Sequence, residues 1–166
     1  MAERAPDFRP EEVIRLLGRH EIRYILIGGL AAVTHGAGVV TQDVDICHAR
    51  DPENLERLAD ALREVHADLR GAGPDLPFRL DVKTLGRGDS FTFTTEIGWI
   101  DILATPAGVA GYDELARTAD TYTLFGHRVL VASLDDLIRM KRAAGRPKDL
   151  LAVEELGALR DEIDRS

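Results

Sequence analysis

The apolar positions of this chain fall into short blocks that switch between two periods. Val13, Ile14, Leu16 and Leu17 follow Pro10-Glu11-Glu12, a helical stripe with acids in the first turn, where the helix dipole favours them. Tyr24-Ile25-Leu26-Ile27 is a compact apolar run that stops at Gly28-Gly29, the pattern of a buried strand and a tight turn. An alanine-rich helix from Leu30 to His35 comes next, released by Gly36 and Gly38. Val44 and Ile46 then alternate with Asp43, Asp45 and Cys47, the two-residue period of a strand. Asp51 caps the clearest helix, Pro52 suits its first position, and Leu55, Leu58, Ala59 and Leu62 form its apolar stripe.

The second half reads in the same way. Two glycines and two prolines make residues 70–77 a loop, and Arg79 to Lys83 is read as a strand. Phe91–Thr95 and Trp99–Leu103 form a hairpin turning near Gly98. Tyr112 to Ala119 is a modest helix, and Thr121 to Val131 holds two strands around Gly126. Ser133 caps a helix that Gly145 ends, and Pro147 starts a last helix running toward Ile163. No repeat, low-complexity tract or linker interrupts the pattern. The expectation is one α/β domain over 1–166, its core about 20–132 and its C-terminal helices about 133–166.

Composition narrows the classes. With 166 residues, 45% apolar and 30% charged, the chain has a globular balance and the length of one domain. Cys47 is the single cysteine, which excludes an intrachain disulfide and a multi-cysteine zinc site. A net charge of -8 argues against a wide basic face and stable broad DNA binding, and leaves room for a local cationic cleft. No apolar run approaches a membrane span. Residues 1–7 carry mixed charge and no apolar stretch, so no secretory signal is expected and the default location is cytoplasmic.

The chemistry begins at Asp43 and Asp45. Residues two apart on a strand project to one face, so these carboxylates stand side by side while Val44 and Ile46 face apolar packing. Like charges that close call for a cation or a proton between them, and a hard divalent ion with oxygen ligands is the natural partner. A pair of solvated acids on an edge strand is the plainer alternative. Gly28-Gly29 lies between a strand and a helix, where backbone N–H groups can face an anion and no Cβ blocks close approach. It fits neither common phosphate-loop pattern.

Ile27-Gly28-Gly29, a spacer of thirteen residues, and Asp43-Val44-Asp45-Ile46 together resemble the motif of the polymerase-β-type nucleotidyltransferase superfamily, in particular its small bacterial branch of minimal and toxin–antitoxin-type members. Thr41 matches many of those members; Val39 departs from them, since an arginine often stands there. The resemblance implies the nucleotidyltransferase fold, a mixed central sheet flanked by helices with a helical C-terminal end. It also implies a third carboxylate on a neighbouring strand. Asp101, which alternates with Ile100 and Ile102, fits that place, and Asp81 is its rival.

Lys141 falls in the middle of the stripe set by Leu134, Leu137 and Ile138, where a lysine either snorkels to the rim or points into a cleft. The stretch from Met140 to Asp149 is similar to the lysine-then-aspartate motif of toxin-type members, which would make Lys141 and Asp149 active-site residues. Asp149 is equally an acid well placed at a helix start. Arg146 and Lys148 are candidates for phosphate contacts. His20, His35, His48, His66 and His127 show no metal-ligand spacing, and Cys47 reads as a packing residue.

The implied activity is transfer of a nucleoside monophosphate from an NTP to an acceptor hydroxyl, with pyrophosphate leaving. Asp43, Asp45 and Asp101 would hold Mg2+ (or Mn2+). Gly28, Gly29, Thr41, Lys141 and Arg146 would contact the nucleotide. The acceptor implied is tRNA or a partner protein, with a small molecule such as an antibiotic as a third option, and a cognate toxin or antitoxin is a possible partner. The alternative is a catalytically degenerate binding module, antitoxin-like, for which Val39 is the support.

Overall fold

The structure, a computed structural model, describes residues 6–73 and 75–166. The reading of residues 1–5 as part of a leader-free start lies outside the described residues, as does position 74 of the 70–77 loop. In chain order the elements are α1 (Pro10–Arg19), β1 (Tyr24–Ile27), α2 (Gly28–Thr34), β2 (Asp43–His48), α3 (Pro52–Glu64) and β3 (Asp68–Leu69). They continue with α4 (Val82–Arg87), β4 (Ser90–Thr95), β5 (Gly98–Leu103), α5 (Tyr112–Thr118), β6 (Asp120–Leu124), β7 (His127–Val131), α6 (Leu134–Ala144) and α7 (Pro147–Asp164).

Among the described residues, seven strands form one mixed sheet in the order β3-β4-β5-β2-β1-β7-β6. β1 runs antiparallel to β2 and parallel to β7, and β2 runs parallel to β5. The hairpin of β4 and β5 and that of β6 and β7 form as expected. No helix among the described residues is long and apolar enough to cross a membrane.

Why the centre is rigid follows from the strand pattern. Ile25 and Leu26 of β1, Val44 and Ile46 of β2, and Ile100 and Ile102 of β5 are all buried. The Leu55, Leu58, Ala59 and Leu62 stripe of α3 joins the same core, with Val13, Ile14, Leu16 and Leu17 of α1. The caps are those the sequence suggests: Asp51 accepts from the Asn54 N–H at 3.2 Å and Ser133 from the Asp136 N–H at 3.1 Å. Gly145, left-handed at a φ of +70°, closes α6.

Three local expectations need correction. Residues 79–83 are not a strand: Asp81 accepts from the Thr84 N–H at 2.8 Å and caps α4, whose Leu85 is buried. The alternation of Leu80 and Val82 imitates a strand because only one helical turn follows it. Gly28-Gly29 is no separate turn, since α2 begins at Gly28 directly from β1. β3 was not anticipated, and at two residues it is too short to show a period.

Asn54 locks the strands that carry the site. It is 1% exposed, accepts from the Arg23 N–H at 2.8 Å, and donates to the carbonyls of Arg23 and Ala49 at 3.1 and 2.8 Å. One side chain thereby ties the approach to β1 to the exit of β2. Asn54→Leu leaves those backbone groups buried and unpaired, and is expected to cost about 2–3 kcal/mol. Urea unfolding should show a lower midpoint at an unchanged slope.

Candidate active site

Strand register builds the centre of the site. Asp45 on β2 lies opposite Ile27 of β1 on one side and opposite Asp101 of β5 on the other. Asp43 lies opposite Trp99. Parallel partners in register share a face, and residues two apart share it too. Asp43, Asp45 and Asp101 therefore project together, and each offers an oxygen within 4.8 Å of the others. Asp81, at the cap of α4, takes no part.

The glycines are explained by what fills their missing side chains. A Cβ on Gly28 would stand 2.0 Å from Asp45 Oδ2, and the residue's φ is +70°. A Cβ on Gly29 would meet Thr41 Cβ at 2.8 Å. The Thr41 hydroxyl in turn donates to the Asp43 carbonyl at 3.1 Å and to Asp43 Oδ1 at 3.2 Å. Thr41 thus braces the first acid, and the double glycine lets the second one lie against the strand end.

Crowding of this kind shows in the acids' proton affinity. Burial pushes the Asp45 carboxyl up to about 8, helped by the charges of Asp43 and Asp101 and a hydrogen bond with Asp101, with the Lys141 ammonium opposing. Asp101 is also raised, chiefly by burial, against the downward pull of the Arg70 guanidinium. Arg70 Nη2 donates to Asp101 Oδ1 at 2.5 Å and to the Phe93 carbonyl at 3.3 Å, and its guanidinium lies 4.3 Å from the centre of the Trp99 ring. In the sequence Arg70 opens the 70–77 loop and carries no signal of its own. The usable signal was Trp99, two residues from Asp101 on the same face, a ring for a cation to cover.

The C-terminal helices supply the remaining charges. Lys141 leaves the buried stripe of α6 for the cleft, and its Nζ lies 3.5 Å from Asp149 Oδ1. Asp149 is 1% exposed. It accepts from the Arg146 Nε at 2.6 Å and the Arg146 backbone N–H at 3.2 Å, and the hydrogen bonds from Arg146 hold its carboxyl below the usual carboxylate range. Asp149 consequently lies behind the lysine and orients it, apart from the acid trio. Gly28, Gly29, Thr41, the three acids, Arg70, Trp99, Lys141, Arg146 and Lys148 line a cleft of about 550 Å³. A smaller cavity of about 260 Å³ adjoins it at Asp45, Asp101 and Lys141, with Asp149 in its wall. Val39 lines the larger cleft and brings no cation to it. Away from the cleft, His35 Nε2 is bonded to the Ala132 carbonyl at 2.8 Å, and buried Cys47, its thiol pushed up to about 12 by burial, packs against Ala104.

Three hard oxygen donors on one face, two of them raised in proton affinity, fit a divalent cation such as Mg2+. Most of the chain also has solved counterparts. It superposes on the lincosamide antibiotic adenylyltransferase LnuA, lincomycin-bound, with a TM-score of 0.61 at 12% identity, over 93% of this chain and 99% of that one. This is the nucleotidyltransferase fold. The solution structure of the antibiotic-resistance factor ANT(2'')-Ia shares the nucleotidyltransferase fold with it at a TM-score of 0.52 and 12% identity, over 94% of this chain and 89% of that one. No protein-family model and no curated protein matches the chain in sequence.

The raised acid makes stability depend on pH. Because Asp45 binds its proton more tightly folded than unfolded, its contribution is fully present below its ordinary 3.8 and is lost as pH rises through about 8. Asp45→Asn removes that loss. Without divalent ions the variant is expected to melt about 5 °C higher than the parent at pH 8. Thermal scans across pH should show the gap closing toward acid.

Proposed function

We propose that this protein transfers a nucleoside monophosphate from an NTP to an acceptor hydroxyl, releasing pyrophosphate. The observation that carries the reading is the meeting of Asp43, Asp45 and Asp101 beside Gly28 on a nucleotidyltransferase fold. Asp43 and Asp45 would hold Mg2+ (or Mn2+), with Asp101 completing the set. Bound there, the ion supplies charge stabilisation for the attacking and leaving oxygens at the α-phosphorus. The chain's own groups do the rest. Gly28, Gly29 and Thr41 form the wall on which the triphosphate rests. Lys141, held by Asp149, and Arg146 neutralise phosphate charge, with Lys148 at the same rim. Asp101 takes the proton of the acceptor hydroxyl. Chemistry of this class relies on positioning and electrostatics, which a small domain can supply.

For the acceptor, the sequence motifs favour the 3′ end of tRNA or a hydroxyl of a partner protein, within a toxin–antitoxin pair. The acidic chain confines an RNA contact to the narrow cationic rim of Lys141, Arg146 and Lys148. A small-molecule hydroxyl gains support from the two antibiotic-related folds, a likeness of architecture alone. A second reading, a degenerate binding module, is favoured by Val39 in the cleft wall and by the pairing of Arg70 with Asp101. Against it, neither Asp43 nor Asp45 has an ion-pair partner among the described residues.

The test is transfer of label from the α-phosphate of each of the four NTPs, with Mg2+, to RNA, protein or small molecules of a bacterial lysate. Incorporation is expected, with Asp45→Ala lowering it about 1,000-fold or more. Lys141→Ala is expected to raise the KM for nucleotide about tenfold. Absence of transfer, together with no Mg2+ or nucleotide binding by calorimetry, would leave the binding module as the correct reading.

A further inference from the structure

Among the described residues, Arg70 is the cation that forms an ion pair with a member of the acid trio. Its backbone N–H, at the end of β3, donates to the Thr92 carbonyl at 2.9 Å, which fixes where the side chain starts. From there the stem crosses β4 to reach Asp101, the Phe93 carbonyl and the Trp99 ring. The fit is incomplete. Among the described residues, Arg70 Nε is buried without a partner, and so is Trp99 Nε1.

That incompleteness says what holds the side chain. A guanidinium has five N–H donors, and leaving one buried and unpaired costs free energy that water would have spared. The charge of Asp101 is the contact strong enough to offset this, since an ion-paired hydrogen bond outweighs neutral ones. A second cation drawn to Asp101 would compete for the same oxygen and would repel the guanidinium at short range in a half-buried site. Without its hold on Asp101, the side chain retains only a long hydrogen bond and a ring contact, while solvent offers full satisfaction.

We propose that Arg70 is the resident counter-ion of Asp101 and gives way to the divalent cation, so that Arg70–Asp101 pairing and metal binding at the third carboxylate exclude one another. This rests on the metal-site reading given above and adds to it a positioning residue. Arg70 keeps the bare acid cluster in balance, lowers its affinity for metal, and leaves the face of Trp99 when metal arrives. Removing Arg70 therefore strengthens metal binding, the reverse of what loss of a supporting ligand partner does.

Trp99 is the only tryptophan in the chain, which makes the exchange directly visible. Trp99 emission is followed while the full-length protein is titrated with Mg2+, and Mn2+ affinity is measured by electron paramagnetic resonance, for the parent and for Arg70→Gln. The parent is expected to show a saturable change in emission that the variant lacks, and the variant to bind Mn2+ about tenfold more tightly. Arg70→Lys keeps the charge without the planar fork and is expected to fall between the two; it serves in place of the glutamine variant if that one does not fold. Equal Mn2+ affinity in parent and variant, or a Trp99 signal that Mg2+ leaves unmoved in the parent, overturns the exchange while the metal site stands. Failure of parent and variant alike to take up Mn2+ removes the metal site, and the exchange with it.

Discussion

Parallel pairing of β2 with β5 sets Asp45 directly opposite Asp101, and antiparallel pairing of β2 with β1 sets it opposite Ile27, the last residue before Gly28. Everything in the cleft depends on this register. A slip of one residue in either ladder would turn the acids to the apolar face and bring Ile100 or Val44 to the solvent side. The slip is prevented from behind: Val44, Ile46, Ile100 and Ile102 are buried on the opposite face of the same strands, against the α3 stripe. Hydrophobic packing on one side of the sheet thus compels three carboxylates to share space on the other. The repulsion among them is a cost that the core carries.

How much of this could be read from the residues differs by scale. Period and punctuation show the central strands and long helices, because each has enough residues to display an apolar stripe or an alternation. The pairing of Asp43 with Asp45 is local, since two residues on a strand share a face whatever the sheet does. The arrival of Asp101 is not local. Nothing in residues 99–103 states that β5 lies beside β2, and only the family resemblance suggested it. Asp81 shows the opposite failure, an acid whose neighbours alternate in polarity yet whose carboxylate caps a helix. Arg70 was illegible for a third reason: its role comes from a tertiary contact across β4, and β3 has two residues to announce itself.

The lysine on α6 illustrates a productive conflict between levels. A charged residue within an apolar stripe violates the helical pattern, and such violations concentrate where function requires them. Here the geometry resolves the conflict through Asp149. Its carboxylate is fixed at the start of α7 by Arg146, and it reaches back to Lys141 across the turn at Gly145. The two helices and their turn form one unit that presents an ammonium to the cleft. Val39 leaves its part of the wall without a cation, so positive charge comes to the cleft from the C-terminal helices and from Arg70.

The balance of charge also bears on why such a cluster exists. A half-buried carboxylate whose proton affinity is raised mainly by desolvation and by two like neighbours destabilises the fold at neutral pH, and an asparagine or a serine in the same register would remove the penalty. A divalent cation held among the three acids, as proposed above, would relieve their repulsion, and the relief would add to its affinity. Arg70 moderates that repulsion by neutralising one member of the trio, while Asp43 and Asp45 have no ion-pair partner among the described residues. A partly balanced, partly strained cluster is what the proposed exchangeable cation site requires.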